Sequence, residues 1–201
     1  MTPRFVRAWT SERGRVHSFE SRVVLTRDPD ELYVLGNFRT RDALLETFDR
    51  RTGERLRALE LARTFESASL VKLQLAGDGE ALALSHSEYR ESRVERIALR
   101  DARVEAVWTT GGYYSDFAVS ADGRTLAVAD GNITVIDLAT RAVRSTFPVG
   151  ARPHGSLTFS PDGTKLAWCR YADSPGDDLG GLWVLDLAQA LPRRVAAEHF
   201  Y

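Results

Sequence analysis

One unit of sequence recurs four times along this chain, and a chain built from copies of a short strand-rich unit must bury each copy's apolar faces against its neighbours. Each copy runs as an apolar strand, a tight turn containing aspartate, a second apolar strand, a variable loop, a third strand, a polar turn and a closing strand. The turns are Arg27-Asp28-Pro29, Gly77-Asp78-Gly79, Ala121-Asp122-Gly123 and Pro161-Asp162-Gly163, with their aspartates 50, 44 and 40 residues apart. That spacing suits four short antiparallel strands per unit. Asp-Gly turns provide the positive φ that a tight connection between twisted strands needs.

The strands flanking each turn are short and almost wholly apolar, as strands covered on both faces must be. Before the turns stand Val23 to Thr26, Leu70 to Leu75, Asp116 to Ser120 and Leu157 to Ser160; after them come Leu32 to Leu35, Ala81 to Leu84, Thr125 to Ala129 and Lys165 to Trp168. The third strands are Leu44 to Asp49, Arg93 to Leu99, Ile133 to Leu138 and Leu182 to Leu187. The closing strands, Arg55 to Leu61, Arg103 to Thr109, Ala142 to Val149 and Arg194 to His199, are more polar and are expected at the outside. No sustained helical periodicity is present; Ala188 to Leu191 comes nearest and runs into Pro192.

Ser160-Pro161-Asp162-Gly163-Thr164-Lys165-Leu166-Ala167 and Ser120-Ala121-Asp122-Gly123-Arg124-Thr125-Leu126-Ala127 resemble the repeat core of the WD-repeat, YVTN and TolB-type β-propeller superfamily. Phe48-Asp49, Ile136-Asp137 and Leu185-Asp186 match the hydrophobic-Asp pair that often ends its third strand, and Ile97-Ala98 departs from it. The stretch Val149 to Gly155 is similar to the Pro-His-Gly link before a YVTN-type blade. No Gly-His and Trp-Asp pairing occurs, so the resemblance is to a divergent, bacterial-style propeller. It implies an all-β fold of about four four-stranded antiparallel blades, over residues 16–62, 66–110, 113–149 and 153–201 of a single domain.

Full-size members of that superfamily have more blades, so the resemblance also implies an incomplete ring. Ala8-Trp9-Thr10 echoes Val107-Trp108-Thr109, which marks residues 1–11 as a ring-closing or outer strand. An open stack exposes strand edges and an apolar face. The expected remedies are a tight four-bladed ring, two chains paired into a larger ring, or a partner over the open face.

Composition narrows the function. The net charge is −1 with acids and bases interleaved, which gives no long-range field for nucleic acid. No stretch approaches the length of a membrane span, and the N-terminal residues lack a secretory apolar core, so a cytoplasmic chain is expected. Nearly all cations are arginines, a bias read as that of a GC-rich bacterial genome. The single cysteine, Cys169, falls inside a strand and reads as a small core residue.

Catalytic and metal-binding signatures are sparse, and neither a cofactor nor a metal is expected. The turn aspartates Asp28, Asp78, Asp122 and Asp162 are expected to cap their own turns, and Asp49, Asp137 and Asp186 to accept bonds from the turns after them. His17, His86, His154 and His199 are scattered without zinc-ligand spacing. Asp173, Asp177 and Asp178 share a loop but match no EF-hand. The chain has no Gly-x-Ser-x-Gly elbow, and Gly111-Gly112 and Gly180-Gly181 precede strands rather than helices.

Surface loops remain. In propellers of the resembled kind, the link into a blade and the loop between its second and third strands share one face. That geometry gathers Phe38, Arg39 and Arg41 with Tyr89 and Arg90, then Tyr113 and Tyr114, then His154, Tyr171 and Asp173, with His86 nearby. Aromatic and arginine side chains dominate binding hot spots. The sequence therefore reads as a non-catalytic scaffold for a protein partner or for self-association. The alternative is a lactonase-like hydrolase or metal-binding propeller, with His154 and the loop carboxylates at the channel.

Overall fold

In the computed structural model, residues 22–25, 30–36, 44–61, 68–76, 79–87, 91–110, 116–149, 157–170 and 180–196 are described. They form sixteen strands in four sheets, and no helix occurs among them. The first sheet holds β1 (Arg22–Leu25), β2 (Glu31–Gly36), β3 (Leu44–Asp49) and β4 (Arg55–Glu60). The second holds β5 (Ala68–Leu75), β6 (Glu80–Ser87), β7 (Ser92–Ala98) and β8 (Val104–Thr110). The third holds β9 (Asp116–Val119), β10 (Thr125–Ala129), β11 (Asn132–Asp137) and β12 (Val143–Pro148). The fourth holds β13 (Thr158–Phe159), β14 (Lys165–Arg170), β15 (Gly181–Asp186) and β16 (Leu191–Ala196). Each sheet is an antiparallel meander in chain order, so the four expected blades are four separate sheets.

The inner strands neighbour one another in succession, β1 beside β5, β5 beside β9 and β9 beside β13, and among the described residues the sheets are not closed into a ring. Stacking places three apolar layers between the four blades. Tyr33, Leu35 and Leu45 of blade 1 pack on Ala81, Ala83 and Ile97 of blade 2. Leu82 and Val94 of blade 2 meet Phe117, Leu126, Val128 and Ile136 of blade 3. Ala127, Ala129, Ile133 and Val135 of blade 3 meet Leu166, Trp168 and Leu185 of blade 4. The alternation of β10 explains this division: Leu126 and Val128 point back to blade 2, while Ala127 and Ala129 point forward to blade 4. Leu126, Ile136, Leu166 and Leu185 are fully buried, each contributing about 1.5–3 kcal/mol of transfer free energy.

Every blade thus has a leading face toward the preceding blade and a trailing face toward the next. Register extends the assignment to the ends of the stack. Leu32 pairs with Phe48, as Leu126 pairs with Ile136 and Leu166 with Leu185, so Leu32, Val34 and Phe48 form the leading face of blade 1. Ala167 pairs with Val184 and Cys169 with Leu182, as Ala127 pairs with Val135 and Ala129 with Ile133, and these form the trailing face of blade 4.

The turn joining third and fourth strands is built alike in all four blades. Four residues after Asp49, Ala98, Asp137 and Asp186 stand Gly53, Ala102, Arg141 and Ala190, each with positive φ between 57° and 74°. Each also donates its N–H to the carbonyl of the residue four positions earlier, at 2.7–2.9 Å. A bulge interrupts every third-to-fourth strand pairing, at Thr47/Phe48, Val94/Glu95, Val135/Ile136 and Leu182/Trp183.

This turn corrects one sequence expectation. The last strand begins at Leu191 rather than Arg194, because Ala190 ends the turn and lets pairing restart at once; residues 197–199 lie outside the described residues. Pro192 is accommodated because an outer strand needs no donor on its free edge. Gly181 carries a φ of +129°, and a Cβ there would stand 2.1 Å from the Ala196 carbonyl; the second glycine of Gly180-Gly181 serves strand packing.

Candidate interaction site

The turn carboxylates are engaged locally. Ser120 Oγ donates to Asp122 Oδ1 at 2.5 Å, Arg124 N–H donates to the same oxygen at 3.1 Å, and Thr125 N–H donates to Ser120 Oγ at 2.9 Å. Blade 4 repeats the arrangement with Ser160, Asp162, Thr164 and Lys165. The Ser160 hydroxyl and then the Thr164 N–H hold the Asp162 carboxyl down to about 2, and the Ser120 hydroxyl depresses Asp122 in the same way. Asp28 and Asp78 lie outside the described residues.

The third-strand aspartates behave as the sequence implied. Asp49 Oδ1 accepts Arg51 and Thr52 N–H at 2.8 and 2.7 Å, and the Thr52 bond chiefly lowers its pKa. Asp137 accepts Ala139 and Thr140 N–H and pairs with Arg144; the Thr140 bond, followed by the arginine, holds it well below the usual carboxylate range. For Asp186, desolvation acts upward, but bonds from Ala188 and Gln189 N–H outweigh it and the carboxyl is lowered. Blade 2, with alanine at this position, uses Asp101 instead, which accepts Arg103 N–H at 3.2 Å.

A polar clasp, which the sequence reading missed, joins three blades at their inner strands. Lys72 Nζ on β5 lies 2.8 Å from Asp116 Oδ1 on β9, donates to the Phe117 carbonyl at 2.6 Å and to the Leu157 carbonyl at 3.3 Å, and sits over the Phe117 ring. Asp116 Oδ2 accepts Leu157 N–H at 2.5 Å. Beside it, the Gln74 amide donates to the Val119 carbonyl and accepts Val119 N–H, both at 3.3 Å. The available signal was a lysine in the otherwise apolar run Leu70-Val71-Lys72-Leu73, in a chain whose cations are nearly all arginine.

Arginines staple blades together near the outer turns. Arg57 of blade 1 donates to the carbonyls of Arg100 at 2.9 Å and Leu99 at 3.3 Å in blade 2. Arg96 of blade 2 donates to the Leu138 carbonyl of blade 3 at 3.1 Å, and Glu105 beside it pairs with Arg141. Arg57 stands opposite Thr47, and Arg96 is the register equivalent of Thr47, so both guanidinium groups leave the same spot on a trailing face.

The loop residues singled out from sequence, Phe38, Arg39, Arg41, Tyr89, Arg90, Tyr113, Tyr114, His154, Tyr171 and Asp173, all lie outside the described residues, as does the N-terminal segment 1–11. Their parent strands are in place. β2 and β3 flank the loop bearing Phe38 to Arg41, β6 and β7 flank Tyr89 and Arg90, and β8 leads to Tyr113 and Tyr114. Among the described residues, no group of three His, Cys, Asp or Glu side chains gathers at one point, and no helix is long and apolar enough to cross a membrane.

No family model matches the chain, and no curated protein matches it in sequence. Among solved structures, a chain of the "Crystal Structure of Mitotic Checkpoint Complex" superposes with a TM-score of 0.58 at 18% identity, over 85% of this chain and 48% of that one. Four radial antiparallel sheets and that superposition agree. The fold is a WD40-like β-propeller. The propeller spans just under half the length of the structure it resembles, and at this identity the likeness is one of fold alone.

Proposed function

We propose that this propeller is a non-catalytic, cytoplasmic protein-interaction module of the bacterial-style WD-repeat, YVTN and TolB-like kind, binding a protein partner through the loops at one end of its blades. The observation that carries this reading is the likeness to a WD40-like propeller chain in a multi-protein complex. Two further features support it. The carboxylates of the described turns accept bonds from their own backbone, and Asp116 is neutralised by Lys72 inside the stack. The loops joined to the described strands carry the aromatic and arginine side chains favoured at hot spots, Phe38, Arg39, Tyr89, Arg90, Tyr113 and Tyr114.

The test is affinity capture with the wild-type chain and with a Tyr113→Ala/Tyr114→Ala variant of unchanged circular dichroism. A specific partner should be retained by the wild type and lost, or weakened by about tenfold or more, by the variant. Equal recovery by both would remove this face from the reading.

A further inference from the structure

We propose that Asp130-Gly131, at the tip of the hairpin between β10 and β11, is a site of spontaneous isoaspartate formation, and that the fold leaves it open to this modification while protecting two other Asp-Gly turns. The chemistry is the chain's own and holds whether or not the loops at that end of the blades bind a partner.

The chain holds four Asp-Gly pairs, and three of them, Asp122-Gly123, Asp130-Gly131 and Asp162-Gly163, lie wholly among the described residues. In the reaction the glycine nitrogen gives its proton to water and bonds to Cγ of the aspartate, while a carboxyl oxygen leaves as water and a succinimide ring closes. Hydrolysis of the ring on the Cγ side restores aspartate. Hydrolysis on the main-chain carbonyl side leaves the chain running through Cβ and Cγ. One water departs and one returns, so the product is an isomer and no other reactant is consumed. Glycine favours the step because no Cβ screens its nitrogen.

Hydrogen bonding, not exposure, separates the three turns, since all three aspartates are exposed. Gly123 and Gly163 N–H donate to the Ser120 and Ser160 carbonyls, both at 2.9 Å. Their aspartates are held as well: Asp122 Oδ1 accepts the Ser120 hydroxyl at 2.5 Å, and Asp162 Oδ1 accepts the Ser160 and Thr164 hydroxyls at 2.6 and 2.9 Å. These bonds favour the ionised carboxylate, the form with the poorer leaving oxygen. At the hairpin tip, by contrast, the Gly131 N–H donates to no acceptor among the described residues. Nothing stands within 4 Å of where a Gly131 Cβ would be. Among the described residues Asp130 Oδ1 accepts just the Asn132 N–H, at a long 3.3 Å.

The position gives the isomer a structural consequence. The turn is closed by the Asp130 N–H, which donates to the Asn132 carbonyl at 3.0 Å. The adjoining pair, Ala129 and Ile133, is fully buried between blades 3 and 4. Ala129 also pairs with Asp116, the carboxylate of the clasp with Lys72 and Leu157. Isoaspartate adds one atom to the main chain, and a turn this short cannot absorb it without shifting the closely packed pair beside it. Conversion at Asp130 therefore loosens the seam between blades 3 and 4 at the end that holds the clasp.

The test keeps the folded chain at neutral pH and physiological temperature for several weeks and then digests it with trypsin. Peptides 104–124, 125–141 and 145–165 carry Asp122, Asp130 and Asp162 separately, and each is assayed for isoaspartate by isoaspartyl-methyltransferase labelling and electron-transfer fragmentation. Asp130 should be converted about tenfold or more faster than Asp122 or Asp162, the scale of one net hydrogen bond that must open before the step. In urea, where no turn survives, the three sites should react at comparable rates. Asp130→Glu should abolish the signal from 125–141, because its ring would be one atom larger. Conversion at Asp122 or Asp162 as fast as at Asp130 in the folded chain would overturn the proposal. So would a preference for Asp130 that persists unchanged in urea, because the fold would then not be its cause.

Discussion

Lys72 and Asp116 lie 44 positions apart in sequence, yet their charged atoms are 2.8 Å apart, and through Leu157 they tie the inner strands of three consecutive blades. The carboxylate is nearly fully buried, at 5% exposure, while the lysine keeps 28%. Removing one member of such a pair strands the other in a poorly solvated place.

Lys72→Met should therefore lower unfolding free energy by about 3 kcal/mol, the lower end of the range for breaking a buried pair. The double variant Lys72→Met/Asp116→Asn should recover part of that loss. Urea denaturation of the four members of the cycle measures the coupling; additive losses would mean the two residues do not act together.

Positive φ at an alanine costs about 1–2 kcal/mol relative to the right-handed region, and a glycine there gives back about 0.4–1 kcal/mol through unfolded-chain entropy. Ala190 is exposed with a φ of 57°, so Ala190→Gly should stabilise by about 0.5–1 kcal/mol and raise Tm by about 2 °C. Ala102 has the same φ but is packed in the core between blades 1 and 2 at 1% exposure. Ala102→Gly should gain less or lose stability. Differential scanning calorimetry on the pair separates backbone strain from packing.

Depressed carboxyls set the acid limb of stability. Asp122, Asp137 and Asp162 have folded pKa values below the unfolded value of about 3.9. Their contribution is complete above that value and is lost as pH falls from about 4 toward 2. Tyr33 acts at the other end: burial, and then its bond to Glu31 Oε2 at 2.6 Å, push its pKa up to about 12. Because the neutral phenol is favoured in the fold, stability is complete below about 10 and declines as pH rises toward 12. Chemical denaturation against pH should show both limbs, with Asp162→Asn flattening the first and Tyr33→Phe the second.

The fold was legible because its determinants are local. Ser120 to Ala127 and Ser160 to Ala167 carry turn chemistry and strand alternation in one short stretch, and the turn bonds of Asp122 and Asp162 follow from it. The closing strand of blade 4 was displaced because a positive φ at Ala190 leaves no mark on the residue type, unlike Gly53 at the equivalent place. The clasp and the staples were hidden for a different reason. Lys72, Arg57 and Arg96 find their partners in another blade, 42 to 85 positions away, and on paper each resembles any surface cation. The loop residues proposed for partner binding fall outside the described residues, so their placement rests on the strands that flank them.

The shared bulge between third and fourth strands bears on how such a chain stays dispersed. Among the described residues the outer strands β4, β8, β12 and β16 each pair along one side only, and a flat edge is a template for any other strand that drifts by. An extra residue in the pairing coils the rim of each blade more tightly and spoils the straight row of donors and acceptors that a stranger would need. The rims of the described blades are thereby shaped to refuse unmatched strands.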